Sequence, residues 1–440
     1  MIFPTIAVQL ARTYAGFRSI FVPLVQSHPQ IVNESLYGQM SKLIAQPLAK
    51  SGISTVIVID ALDECEDDEP ASAILFVLGQ FVSEIPEVKF FVTGRPEPRI
   101  LDGFRLPLLA KTTDVFFLHE VEPNRVNSDI RLFFRHHFLD LKRRRHGLEN
   151  WPTEEQLDLI CRRAAGFFIY ATATVRFIDQ KKNQNPKKQL DRLLQAPNSG
   201  FEGKTKLREG STLDSLYMTI LEEAFGDNEP EDGPDIRLIL GSVVLATNPL
   251  SPFTIATLLG LDVEDVFTPL LSMHSLLLLQ EDINHPVRPF HKSFPDFIVD
   301  PERCTEPRFL VCSDQHVKLL VGCLELMNRR LEQNMCGLPD GVANSEVDDL
   351  KGRAEQCIDN ALEYACRSWH KHLVDPTPAQ MVEITPFLLQ FFVTKFLFWL
   401  EVLSILGALR EAVDALEVAA KWLDVRHISL PGEFKRIYRG

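Results

Sequence analysis

Basic charge is in short supply. The 440 residues include 46 Lys and Arg against 60 Asp and Glu, a formal net charge of -14. Nucleic acids and anionic membranes reward basic surfaces, so neither is expected as a general partner. The one basic run, Lys142 to Arg145, reads as a solvated helix end or loop. Cysteines in metal-like or disulfide-like pairs are also missing: the eight present are scattered, which predicts reduced thiols in a cytoplasmic protein. Cys366, His370 and His372 lie close together, but two further ligands of suitable geometry are not evident, so packing around Trp369 is expected. No basic segment precedes an apolar one after Met1, and no secretion signal is expected. Uninterrupted apolar spans are absent too. Residues 387–409 come nearest, yet Lys395 and Glu401 break the run and would be costly at bilayer depth, which predicts a buried core helix.

What is present suits a chain of several domains. Hydrophobic residues make up 45% of the sequence, ample for burial, and the length suggests about three domains. The most informative segment is VIVIDALDEC, residues 56–65. Val56 to Ile59 form a β-branched run that predicts a strand buried on both faces of a parallel sheet, followed at once by Asp60, Asp63 and Glu64. Phe90, Phe91 and Val92 repeat the pattern before the turn Thr93, Gly94, Arg95. Between the two runs Ile74, Leu75, Leu78, Phe81, Val82 and Ile85 recur at helical spacing. A strand, helix, strand unit with a right-handed crossover brings the acids and Arg95 to one edge of the sheet. Carboxylates beside a guanidinium fit a nucleoside triphosphate site: one acid holds Mg²⁺, a second orients a water, and Arg meets a terminal phosphate.

The spacing D-x-x-D-E after one hydrophobic strand and T-G-R-P after the next resembles the Walker B and sensor 1 segments of NACHT ATPases of the STAND group. It is most similar to the nephrocystin-3-like type found in fungi. That resemblance implies an α/β P-loop NTPase core with a parallel sheet, followed by all-α domains that include a winged-helix-like module. It implies ATP or GTP with Mg²⁺ as the cofactor of intact relatives. Asp60 is the candidate metal ligand, Asp63 and Glu64 are candidate catalytic acids, and Arg95 is a candidate nucleotide contact. Residues 2–17 resemble the helix that follows the P-loop helix and second strand, and G-x-x-x-x-G-K-[ST] does not precede residue 56. The core is therefore expected to be incomplete, with nucleotide held weakly or not at all. The only Gly-Lys-Thr, Gly203 to Thr205, follows no apolar strand and reads as a loop.

The expected divisions are a partial NTPase core over residues 1–118, whose last strand is Val115 to Leu118, and a helical domain with a polar connector over 119–210. A winged-helix-like region over 211–308 and an all-helical region over 309–440 complete the chain. Two more nucleotide-proximal candidates rest on the resemblance alone: Gly166, in a small-residue turn, and His291, whose imidazole can donate a hydrogen bond to a terminal phosphate. No repeat of about forty residues with strand periodicity appears. The expected function is a signalling or scaffold protein that acts through conformation and through protein partners or self-association. The alternatives are an active switch whose phosphate loop lies upstream or comes from another subunit, and a fragment that folds poorly.

Overall fold

The computed structural model describes residues 2–65, 68–179, 185–195, 211–226, 235–339, 341–373 and 377–425. The Gly203 to Thr205 tripeptide and most of the polar connector lie outside these. The chain divides into two compact units, Met1–Val121 and Glu122–Gly440.

The first unit is a layer of helices against a small parallel sheet. Apolar residues at helical spacing build the helix Ile2–Thr13, which buries Phe3, Ile6, Ala7 and Leu10. The helix Ala15–Ser27 buries Phe17 and Phe21, and a π-helical turn, Met40–Ala45, buries Met40, Leu43 and Ile44. Strands β1 (Thr55–Ile59) and β2 (Val88–Val92) pair in parallel, with Ile57 opposite Phe90 and Ile59 opposite Val92. The helix Asp68–Phe81 makes the crossover between them.

Two expectations for this unit need correction. The β1 run is not buried on both faces: Ile57 and Ile59 join the core, but Val56 and Val58 are 60% and 61% exposed, as is Phe91 on β2 at 60%. Side chains alternate across a strand, and the helices of this unit cover only one face of the pair. Residues 115–118 form no strand. Val115, Phe116 and Leu118 are exposed, and Leu118–Glu120 is a single 3-10 turn. An apolar, aromatic run favours a strand only where a neighbouring strand pairs with it, and among the described residues no strand pairs with this one; the Phe117 and Leu118 carbonyls instead accept from Glu120 and Val121 in the turn.

The second unit is helical around one apolar core that extends from Ile130 to Leu423. Its first layer is the helices Pro123–Arg144, Glu154–Ala164 and Phe168–Ile178. Thr153 and Gln156 form a reciprocal capping box at the start of the second of these. Helices Ile236–Val244, Pro252–Leu259 and Val263–Ser272 follow, then an antiparallel pair of β3 (Leu277–Leu278) and β4 (Arg288–Pro289). The helix Asp314–Arg330 lies at the centre, in contact with Ile236–Val244, Pro252–Leu259, Asn360–Ser368 and Pro378–Gln390.

Gln380–Ile405 is one continuous helical stretch of 26 residues, and it is long and apolar enough to cross a membrane by length and composition alone. One face of it packs as a core element, while Val382, Val393 and Leu397 on the rest are exposed. Phe391, Trp399, Val402 and Leu403 are fully buried, and Trp369 packs against Phe391, Phe392 and Trp399. Lys395 and Glu401, which interrupt residues 387–409, are both used: Lys395 Nζ donates to the Leu331 carbonyl at 2.7 Å, and Glu401 accepts from the Asn334 N–H at 3.1 Å.

Candidate functional site

The C-terminal end of the parallel pair gathers Asp60, Asp63, Glu64, Thr93 and Arg95. The geometry begins with the backbone. Ala61 follows β1 in the left-handed region, at φ 54, and this reverses the chain into the 3-10 turn Leu62–Glu64. A non-glycine residue in that region is strained, and the surroundings hold it there. The Ala61 N–H donates to Thr93 Oγ1 at 2.9 Å, the Leu62 N–H donates to the Thr93 carbonyl at 2.9 Å, and the Thr93 hydroxyl donates to Asp60. Thr93 thus locks the two strand ends together.

Asp63 turns inward. Its side chain is only 5% exposed, and it accepts from the Arg95 N–H at 3.0 Å while Arg95 Nε stands 3.5 Å from its other oxygen. Arg99 donates to the Asp63 carbonyl at 2.9 Å and pairs with Glu97 at 2.9 Å. Gly94 sits so close that an added Cβ would lie 3.4 Å from Asp63 Oδ1. The consequence is chemical: a carboxylate held this way positions the 93–95 turn and is poorly placed to orient a water. Asp60 and Glu64 differ. Both are exposed, and Asp60 keeps one oxygen beyond its bond to Thr93. An exposed carboxylate with a free oxygen suits Mg²⁺ or its water shell. A backbone cradle for phosphates does not accompany it among the described residues of this unit.

Gly166 and His291 belong to the second unit. Ala165 and Gly166, at φ 46 and 85, make the turn between the helices Glu154–Ala164 and Phe168–Ile178. An added Cβ at Gly166 would meet only Val126, at 3.9 Å, so the glycine serves the backbone angle and not a close approach. His291 is exposed; its Nδ1 accepts from the Ser293 N–H at 3.1 Å, which places the proton of the neutral ring on Nε2. The Ser293 hydroxyl is 2.7 Å from the same nitrogen and 2.6 Å from the Tyr217 hydroxyl.

Two arrangements of polar residues in this unit were not read from the sequence: the site of Arg176, and the partners of His372. Arg176, within an apolar helix, donates to the carbonyls of His274 and Leu277 and lies 4.1 Å over the Phe290 ring, one residue before His291. Burial lowers its pKa, yet a guanidinium keeps its charge in proteins. A single Arg amid FFIYATATVRFI was the available signal. Second, His372 is wholly buried between the Tyr364 hydroxyl at 2.7 Å and His316 Nδ1 at 2.9 Å. His316 and Tyr364 are distant from each other in sequence, and nothing local marks them as partners. No group of three or more metal-ligating side chains occurs among the described residues.

Residues 1–95 match the family described as Nephrocystin 3, N-terminal. The chain is also similar to "Vegetative incompatibility protein HET-E-1" of Podospora anserina, 23% identical over 388 residues, or 82% of this chain. Those residues span 26% of that relative's length. No solved structure matches. The family match thus makes residues 1–95 similar to a nephrocystin-3-type N-terminal region.

Proposed function

We propose that this chain is a NACHT/STAND-type signalling or scaffold protein that acts through conformational change and partner binding, with defective nucleotide binding. The likeness to a vegetative incompatibility protein along 82% of the chain supports the signalling role. The single observation that carries the defective-site reading is Asp63, whose buried carboxylate is committed to Arg95. Glu64 remains as the exposed acid, Asp60 as the magnesium-side carboxylate, and Arg95 as a half-exposed guanidinium beside Asp63. ATP or GTP would find charge complementarity for its metal but no glycine-rich cradle for its phosphates among the described residues. The three helices before the β3 and β4 pair support the winged-helix-like reading of residues 211–308. A cytoplasmic setting and protein partners or self-association, without nucleic acid or membrane, complete the proposal.

Titration calorimetry of the purified chain with MgATP and MgGTP tests it. Binding weaker than about 1 mM is expected, since phosphate-loop contacts dominate such sites. A micromolar, magnesium-dependent affinity would instead establish a working nucleotide switch.

A further inference from the structure

We propose that the cavity between the turn at residues 248–251, the loop 284–286 and the helix Asn360–Ser368 is a binding site for a neutral polyhydroxylated ring of the size of one monosaccharide. The cavity measures about 240 Å³ and lies wholly in the second unit. Pockets for drug-sized ligands run from about 300 to 1,000 Å³, so a single ring is the size that fits. Such a ligand is additional to the nucleotide and the protein partners considered above.

Hydrogen bonds tie the three walls together before any ligand arrives. The Thr247 N–H donates to the Tyr364 hydroxyl at 3.3 Å and the Thr247 hydroxyl donates to Ser368 Oγ at 2.8 Å, which joins the turn to the helix Asn360–Ser368. The Val287 N–H donates to the Leu250 carbonyl at 2.8 Å and the Phe253 N–H donates to the Ile283 carbonyl at 3.1 Å, which joins the turn to the loop. Ser251 accepts from the Thr254 N–H at 3.1 Å and so fixes the turn to the helix Pro252–Leu259. A site built in this way needs little ordering of its own groups when a ligand binds.

The groups that the walls leave unpaired select the ligand. The exposed side-chain amides of Asn248 and Asn360 have no partner among the described residues, and each presents a carbonyl oxygen and an NH₂ group in one plane. Asn284 donates through Nδ2 to Asp282 at 3.3 Å and keeps its carbonyl oxygen. Ser251 donates to Thr254 Oγ1 at 3.0 Å, so the buried hydroxyls of Thr254 and Ser368 each accept one hydrogen bond and retain a proton to donate. Charge is largely taken up within the protein: Arg367 pairs with Glu363 at 2.9 Å and with Glu411 at 2.6 Å. An anion therefore meets no unpaired cation in the lining, and the lining carboxylate of Glu363 already holds a guanidinium. Unpaired donors and acceptors side by side, with little free charge, match hydroxyl groups, each of which donates one hydrogen bond and accepts others. Pro249, Leu250 and Pro286 supply apolar contact for the C–H face of a ring.

Saturation-transfer NMR on the full chain tests the site, with D-glucose, D-galactose, D-mannose, N-acetyl-D-glucosamine and myo-inositol as neutral probes and spermidine and inorganic phosphate as charged ones. At least one neutral probe should bind with a dissociation constant between about 0.01 and 10 mM, and Asn248→Ala and Asn360→Ala should each weaken it about five- to tenfold, the loss of about one hydrogen bond. Both amides are exposed and make no bond inside the protein, so the two variants should keep the wild-type urea midpoint. Three results would overturn the proposal: none of the five neutral probes binds, a neutral probe binds with the same affinity in both variants, or only spermidine or phosphate loses affinity in them.

Discussion

The main-chain N–H of Arg95 donates to the carboxylate of Asp63 at 3.0 Å, joining the turn after β2 to the turn after β1. Removing that acceptor leaves a half-buried N–H donor unsatisfied and takes one carboxylate from beside the Arg95 guanidinium. Asp63→Ala should therefore loosen both turns by about 1–3 kcal/mol. Asp60→Asn keeps an oxygen for the Thr93 hydroxyl and is exposed, so its effect should stay within about 0.5 kcal/mol. Hydrogen exchange over residues 55–65 and 88–99 measures the difference, and equal losses in the two variants would remove the strut role assigned to Asp63.

The alternation along β1 makes a second prediction. Ile57 is 5% exposed and packs in the core of its unit, whereas Val58 beside it stands in solvent. Ile57→Ala should cost about 2–5 kcal/mol through lost transfer energy and the cavity left behind. Val58→Thr keeps the β-branch and buries nothing polar, so a change within about 0.5 kcal/mol is expected. Local hydrogen exchange again serves as the readout. Comparable costs at the two positions would mean that the outer face is covered in solution.

The parallel unit was legible in the sequence because its signals are local: two apolar runs, a helical period between them, and acids directly after the first. That Asp60, Asp63 and Arg95 converge followed from the handedness of the crossover. Which acid is committed could not be read, because Asp63 and Glu64 are neighbours and only the 3-10 turn sends one inward and the other outward. Nor could the bare face of β1 be foreseen, since β-branched residues at 56–59 look the same whether or not a second layer covers them. The contact of His372 with His316 links residues 56 positions apart, and tertiary packing alone supplies it.

Close helix packing yields a third prediction. A Cβ added at Gly322, in the central helix Asp314–Arg330, would collide with the Leu258 carbonyl oxygen of the helix Pro252–Leu259. The obstacle is backbone, which cannot rotate aside as a side chain does. Gly322→Ala should destabilise the second unit by about 3 kcal/mol, despite the better helix propensity of Ala. Urea unfolding followed by tryptophan fluorescence checks it, as Trp369 and Trp399 lie in this core. An unchanged or raised midpoint would show that the two helices stand further apart.

Acid should weaken the second unit through His372. Its buried ring, flanked by His316, His370 and Lys371, has its pKa pushed down to about 3, chiefly by burial and then by repulsion from the charge of Lys371 and from the charge His316 and His370 would gain on protonation. Burial also lowers His316, and burial followed by Lys371 lowers His370. In the unfolded chain a His titrates near 6.5, so below that pH the unfolded state binds protons that the native rings refuse. The stability contributed by these neutral rings is thus complete above about pH 6.5 and falls progressively as the pH drops toward about 3. Between pH 7 and pH 5 the His372 contribution alone should decline by about 2 kcal/mol, at 1.36 kcal/mol for each unit below 6.5. His372→Gln keeps hydrogen-bonding capacity for Tyr364 and His316 but cannot titrate. Its urea midpoint should be lower than wild type at pH 7 and change less between pH 7 and pH 5. A variant with the full wild-type acid sensitivity would place that sensitivity in other groups.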